Sequence, residues 1–237
     1  MSSVVKLRGF NYRSSESRKD EIGYKIDALE SLGNILAALE VDKFDEVYGI
    51  IQSILVDKSS KEEDEDASSE EIAKKREKNI KLKETAYETL GKTWPERSKT
   101  TQDKYGEMFV EHCVECLPRI TRSVQVSVVS ALYNYVDKLI LLNDDLDDSD
   151  KKRLGKIVDN IVIAIRYSLG ISKHTRLRKE ALNVVFCMGK KLQERQIEDE
   201  FLKLRRMFDE VLDDISSDTQ PEIKSRLTDI KNLLKTN

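Results

Sequence analysis

The residues with the most chemistry to offer are His112, Cys113 and Cys116, an HCxxC run in a chain of 237 residues with only two histidines and three cysteines. An imidazole nitrogen and two thiolates at that spacing could open a zinc site. Such a site needs four ligands, and only His174 and Cys187 remain to complete it. The triplet also lies on an apolar stripe, Tyr105, Met108, Phe109, His112, Cys113, Cys116, Leu117 and Ile120, whose three- and four-residue steps are those of one helix face. Buried cysteines behave as small hydrophobes, so the spacing predicts core packing for the triplet. A thioredoxin-type redox pair would instead sit at a helix N-terminus after a strand, where the thiol gains acidity.

Asp144, Asp145, Asp147, Asp148 and Asp150 suggest a calcium loop. The EF-hand pattern asks for a central glycine and a closing glutamate, and Lys156 stands at the twelfth position counted from Asp145. The expectation is a solvated linker whose end, Asp148 or Ser149, caps the next helix. Ser59, Ser60 and Ser68 each have a glutamate three residues downstream, a pattern an acid-directed kinase could use. There is no glycine-rich phosphate loop, and a histidine on a core stripe leaves little for acid or base work. The sequence therefore predicts no catalysis, no metal and no cofactor. The sharper functional reading is a basic partner-contact ridge, Arg176, Arg178, Lys179, Lys190 and Lys191, continued by Arg195, Arg205 and Arg206.

The elements that must position these residues follow from composition. Charged residues make up 36% and hydrophobic ones 39%, against nine glycines and three prolines. Many Lys, Glu and Leu with few turn formers predict helix on nearly every segment. A net charge of −3 supplies no global field for nucleic acid or anionic lipid, and no apolar run reaches the roughly 20 residues of a membrane span. The few cysteines suit a reducing compartment, which gives a cytoplasmic and nuclear expectation.

Residues 1–17 carry no sustained period and are expected to be irregular, with helices from about residue 18 to residue 237. Ile22, Ile26, Leu29, Leu32, Leu36 and Leu39 mark a first helix. Phe44, Val47, Tyr48, Ile51, Ile54 and Leu55 mark a second, expected to pack antiparallel on the first across a short link. The acidic run 58–71, KSSKEEDEDASSEE, reads as a mobile loop ending in a capping box, Ser68 with Glu71. A long helix then runs from about Ser69 to Trp94 and stops at Pro95. The helix from Ser123 to Leu142 is apolar nearly all round, as an inner helix of an array must be. Later helices carry Leu154 to Leu169, Leu177 to Leu192, Ile197 to Ile215 and, after Pro221, Ile223 to Leu234.

Internal repetition ties these together. KIDALESLG from Lys25 to Gly33 and KETAYETLG from Lys83 to Gly91 share five of nine positions at an offset of 58 residues. Equivalent apolar positions at Leu29, Tyr87, Val129, Leu182 and Leu227 are separated by 58, 42, 53 and 45 residues. Two steps lie in or near the roughly 40 to 47 residues of HEAT and armadillo units, and the longer two hold linkers. The fold class predicted is all-α, a right-handed α-solenoid of about four to five HEAT/ARM-like helix pairs.

At Leu90 to Pro95, LGKTWP, and at Leu177 to Val185, LRKEALNVV, the sequence resembles the C-terminal region of the large HEAT-repeat proteasome adapter and scaffold family. The resemblance runs from about Asp20 to the end. It implies a non-enzymatic adapter that binds the proteasome core and regulatory particles, holds them together or tethers them to other machinery, and is a segment of a longer chain. The alternative is a HEAT-type adaptor in nuclear transport or vesicle trafficking.

Overall fold

The computed structural model describes residues 21–39, 43–56, 68–95, 99–139, 148–171, 173–216 and 220–235, and statements of absence below refer to these. The irregular segment 1–17, most of the acidic run 58–71 and Asp144, Asp145 and Asp147 lie outside them. The described residues form α-helices and no strand: α1 Glu21–Leu39, α2 Phe44–Val56, α3 Ser69–Thr93, α4 Lys99–Cys116, α5 Arg122–Lys138, α6 Asp148–Gly170, α7 Thr175–Glu194, α8 Glu198–Ser216 and α9 Pro221–Lys235.

Local chemistry sets the ends. Ser68 opens α3 with a reciprocal capping box: its amide donates to Glu71 Oε2 at 3.0 Å, and the Glu71 amide donates to Ser68 Oγ at 3.3 Å. The helix stops at Thr93 because Pro95 forces the preceding Trp94 out of the helical region, to φ −57° and ψ 123°. Pro118 converts the end of α4 into a 3-10 turn, Leu117–Arg119. Between α7 and α8 the chain reverses through Gln196, at φ 56° the one non-glycine residue with positive φ among those described. Two amides close a Schellman cap there: Ile197 donates to the Leu192 carbonyl at 3.0 Å and Gln196 to the Gln193 carbonyl at 3.1 Å.

The helices stack in two layers. α1, α3, α5, α7 and α9 each pack on the next to make an odd layer, and α4, α6 and α8 do the same in an even layer. The α2 helix joins the even layer, since Phe44 and Tyr48 meet Tyr105 of α4 with ring centroids 5.4 and 4.6 Å apart. Hairpins α2–α3, α6–α7 and, more lightly, α4–α5 and α8–α9 connect the layers. This is an all-α solenoid. The expected pairing of the first two helices is corrected: α2 packs chiefly on α3, across the acidic run, because its apolar face is needed against the junction around Trp94. The five equivalent positions Leu29, Tyr87, Val129, Leu182 and Leu227 are all buried, one on each helix of the odd layer. α5 buries Val124, Val126, Val128, Val129, Leu132 and Val136 together, as its all-round apolar pattern requires.

Close approach within the odd layer rests on small residues. A Cβ on Gly33 would sit 3.3 Å from the Thr89 methyl of α3, and one on Gly91 would sit 3.2 Å from the Ala131 Cα of α5. The shared glycine of the KIDALESLG and KETAYETLG stretches is thus a packing contact toward the next helix in each case. Thr89 also donates its hydroxyl to the Leu29 carbonyl at 3.1 Å, tying the two stretches directly.

The even layer adds exposed ion pairs to its apolar contacts. Lys104 of α4 reaches Asp45 of α2 at 2.8 Å, Lys156 of α6 reaches Glu107 of α4 at 2.5 Å, and Lys203 of α8 reaches Asp159 of α6 at 3.0 Å. Lys104 and Glu107, like Lys156 and Asp159, are three residues apart, so each middle helix gives a lysine to one neighbour and a carboxylate to the other. Arg166 to Glu210 keeps the same register one step along.

Candidate interaction surface

The HCxxC residues sit at the inner side of α4, facing α3. Cys113 is fully buried, and His112 and Cys116 are partly so. Tyr87 of α3 places its hydroxyl 2.8 Å from His112 Nε2 and 3.5 Å from Cys116 Sγ. Burial holds the imidazole below its ordinary range and pushes both thiols up, so all three are neutral near pH 7. Neutral thiols buried beside a phenol are packing groups, and no cluster of three or more His, Cys, Asp or Glu suited to a metal occurs among the described residues. Cys187 lies apart on α7, its thiol 3.9 Å from Asp137 and raised to about 11 by burial first. His174, at the start of α7, bonds through Nε2 to the Arg122 carbonyl at 3.0 Å.

Trp94 is the centre of an aromatic knot. Its ring centroid lies 4.1 Å from Phe44 of α2, 5.4 Å from Phe109 of α4 and 4.8 Å from Tyr135 of α5, and it is 1% exposed. Four helices meet at this residue, so the GKTWP run joins successive helix pairs.

Of the basic ridge expected on α7, Arg178 turns inward, while Arg176, Lys179, Lys190 and Lys191 lie outside the core. Arg176 and Lys190 are exposed, the latter with Glu194 3.7 Å away. Lys179 pairs with Glu222 of α9, and Lys191 donates to the Leu139 carbonyl at 3.3 Å. Arg178 is 4% exposed and reaches the Asp214 carbonyl at 3.4 Å, so its guanidinium faces the layer interior rather than a partner. Its position was legible: three residues before Ala181 and seven before Val185, it lies on the apolar stripe of α7. Of the acidic linker, Asp148 opens α6, and Asp150 is taken up by Arg153 at 2.8 Å and Lys99 at 3.3 Å.

Stacked helix pairs that offer side chains along ridges and edges define a repeat protein of the armadillo-like kind. The chain belongs to the family described as "ECM29, C-terminal ARM-like repeats", whose profile matches residues 14–232. It is 33% identical over 250 residues to the Drosophila melanogaster "Proteasome-associated protein ECM29 homolog", covering 92% of this chain and 13% of that protein. To the Homo sapiens "Proteasome adapter and scaffold protein ECM29" it is 29% identical over 223 residues, covering 93% of this chain and 12% of that protein. The chain thus spans about an eighth of the length of these relatives. No solved structure matches it.

Proposed function

We propose that this chain is a non-catalytic scaffold segment that works in association with the proteasome. The observation that carries this reading is the match of 92–93% of the chain to two relatives named as proteasome-associated or proteasome adapter proteins. The architecture supports it: a solenoid spreads side chains over a long surface rather than gathering them in one cleft. Both histidines support it too, since His112 Nε2 is engaged by Tyr87 and His174 Nε2 by a backbone carbonyl. The finer reading is that the segment helps hold core and regulatory particles together or tethers them to other machinery, in cytoplasm and nucleus.

The test is affinity purification of the tagged chain from cells, with mass spectrometry of the eluate and microscopy of the tagged protein. Core- and regulatory-particle subunits in the eluate are the expected result. Transport receptors or coat proteins without proteasome subunits would overturn it in favour of a transport adaptor.

A further inference from the structure

Two loops that open neighbouring odd-layer helices carry the same basic doublet. Arg119 and Arg122 flank the start of α5, and Lys173 and Arg176 flank the start of α7. The members of each doublet are three positions apart, and each residue of the first has its counterpart 54 residues on (173 − 119 and 176 − 122). All four side chains are exposed. Among the described residues none of the four has a carboxylate at ion-pair distance, although pairing is the rule on the flanks of both layers.

The loops are braced rather than loose. His174 of the second bonds the Arg122 carbonyl of the first at 3.0 Å, which draws the doublets side by side. Buried Gln125 donates through Nε2 to the Leu117 carbonyl at 2.8 Å and to the Tyr167 hydroxyl at 3.2 Å, fixing the first loop to α6. Ile120 and Ile171, close to these cations in sequence, are partly buried and pack against the core. Neighbouring charge is accounted for: Lys179 is matched by Glu222, while Glu115 and Glu180 are the nearest carboxylates along the chain on α4 and α7. Four like charges on a rigid edge repel one another and raise the energy of the free protein, so a complementary anion is stabilised there.

We propose that this edge, Arg119, Arg122, Lys173 and Arg176, is a docking surface for an extended acidic peptide segment of a partner protein. Adjacent stacked helices lie about 10 Å apart, close to the rise of three extended residues at about 3.3 Å each, so carboxylates three positions apart on a peptide would meet successive doublets. A peptide is favoured over nucleic acid because four cations on one edge of a chain of net charge −3 match a short acidic segment and offer no long basic track for a polyanion. The surface goes beyond proteasome association, and peptide binding measured with purified protein succeeds or fails whether or not proteasome subunits co-purify.

The experiment is fluorescence anisotropy of the full chain with a labelled peptide carrying glutamate at every third position. Saturable binding that weakens with added salt is expected. The double reversal Arg122→Glu with Arg176→Glu should weaken it about tenfold or more, while Arg122→Lys with Arg176→Lys keeps most of it. Circular dichroism of each variant establishes that the helices are retained, and Lys190→Glu, at the far end of α7, serves as a charge-reversal control expected to leave binding unchanged. Equal affinity in the reversed and parent proteins, or the same loss with Lys190→Glu, would overturn the proposal. So would tighter, doublet-dependent binding of a single-stranded oligonucleotide or of anionic vesicles than of the peptide.

Discussion

Replacing Trp94 by alanine removes the side chain on which four helices converge, and no neighbour can refill the space without leaving its own helix. A loss of about 3–5 kcal/mol is expected, the range for large-to-small changes at buried aromatics. Thermal unfolding followed by circular dichroism should show a melting temperature lower by many degrees; an unchanged melt would remove Trp94 from the core. His112 gives a pH signature. Its ordinary value is 6.5, burial holds the folded imidazole lower, and Glu115 pulls partly the other way. Above that value neither state binds the proton. Below it the unfolded chain takes a proton that the folded imidazole declines, so stability falls with pH until the folded group itself titrates. From about pH 7 to about pH 5.5 the parent's denaturation midpoint should therefore drop more than that of His112→Gln, and parallel slopes would refute the assignment. The helical placement of His112 was legible from the stripe it shares with Phe109 and Cys116. Its partner was not, because Tyr87 lies 25 residues away on another helix.

At the level of elements, the turn between α7 and α8 offers a clear change. Gln196 holds a left-handed conformation at φ 56° that costs a side-chain-bearing residue and costs glycine little. Gln196→Gly is expected to raise stability by about 0.5–1 kcal/mol, read as a higher urea midpoint at constant slope. A lower midpoint would mean that the Gln196 side chain contributes more than its backbone loses. This turn was not legible beforehand, since no glycine or asparagine marks it. Helix stops carried by Pro95 and Pro118 were legible because the ring itself forbids continuation, and Pro221 was legible as a helix start because its missing amide costs nothing in the first turn. Pairing between helices was less so. The short link after α1 suggested an α1–α2 hairpin, yet helix partners are chosen by apolar faces, and the face of α2 is completed by Tyr105 and Trp94. The even-layer ion pairs join residues 44 to 59 positions apart, beyond any local period.

Across the whole molecule each helix leans only on near neighbours, so stability is a chain of local interfaces. Leu182 on α7 and Ile230 on α9 are both fully buried, but α9 has an odd-layer neighbour on one side only among the described residues. Leu182→Ala should lower hydrogen-exchange protection from α5 through α9. Ile230→Ala should lower it in α8 and α9 while α3 and α5 keep theirs. Uniform loss in both variants would show a single cooperative unit. The cationic edge belongs to this scale too, because neither doublet stands out in its own helix and only stacking sets them together.

The two layers differ in what resists deformation. Glycine and threonine contacts leave the odd layer almost no room to compress, whereas the lysine–carboxylate pairs along the even layer are exposed and screened by salt. Added salt is therefore expected to act on the even side alone, weakening each pair by about 1 kcal/mol at most, while the glycine and threonine contacts of the odd side, which carry no charge, stay as they are.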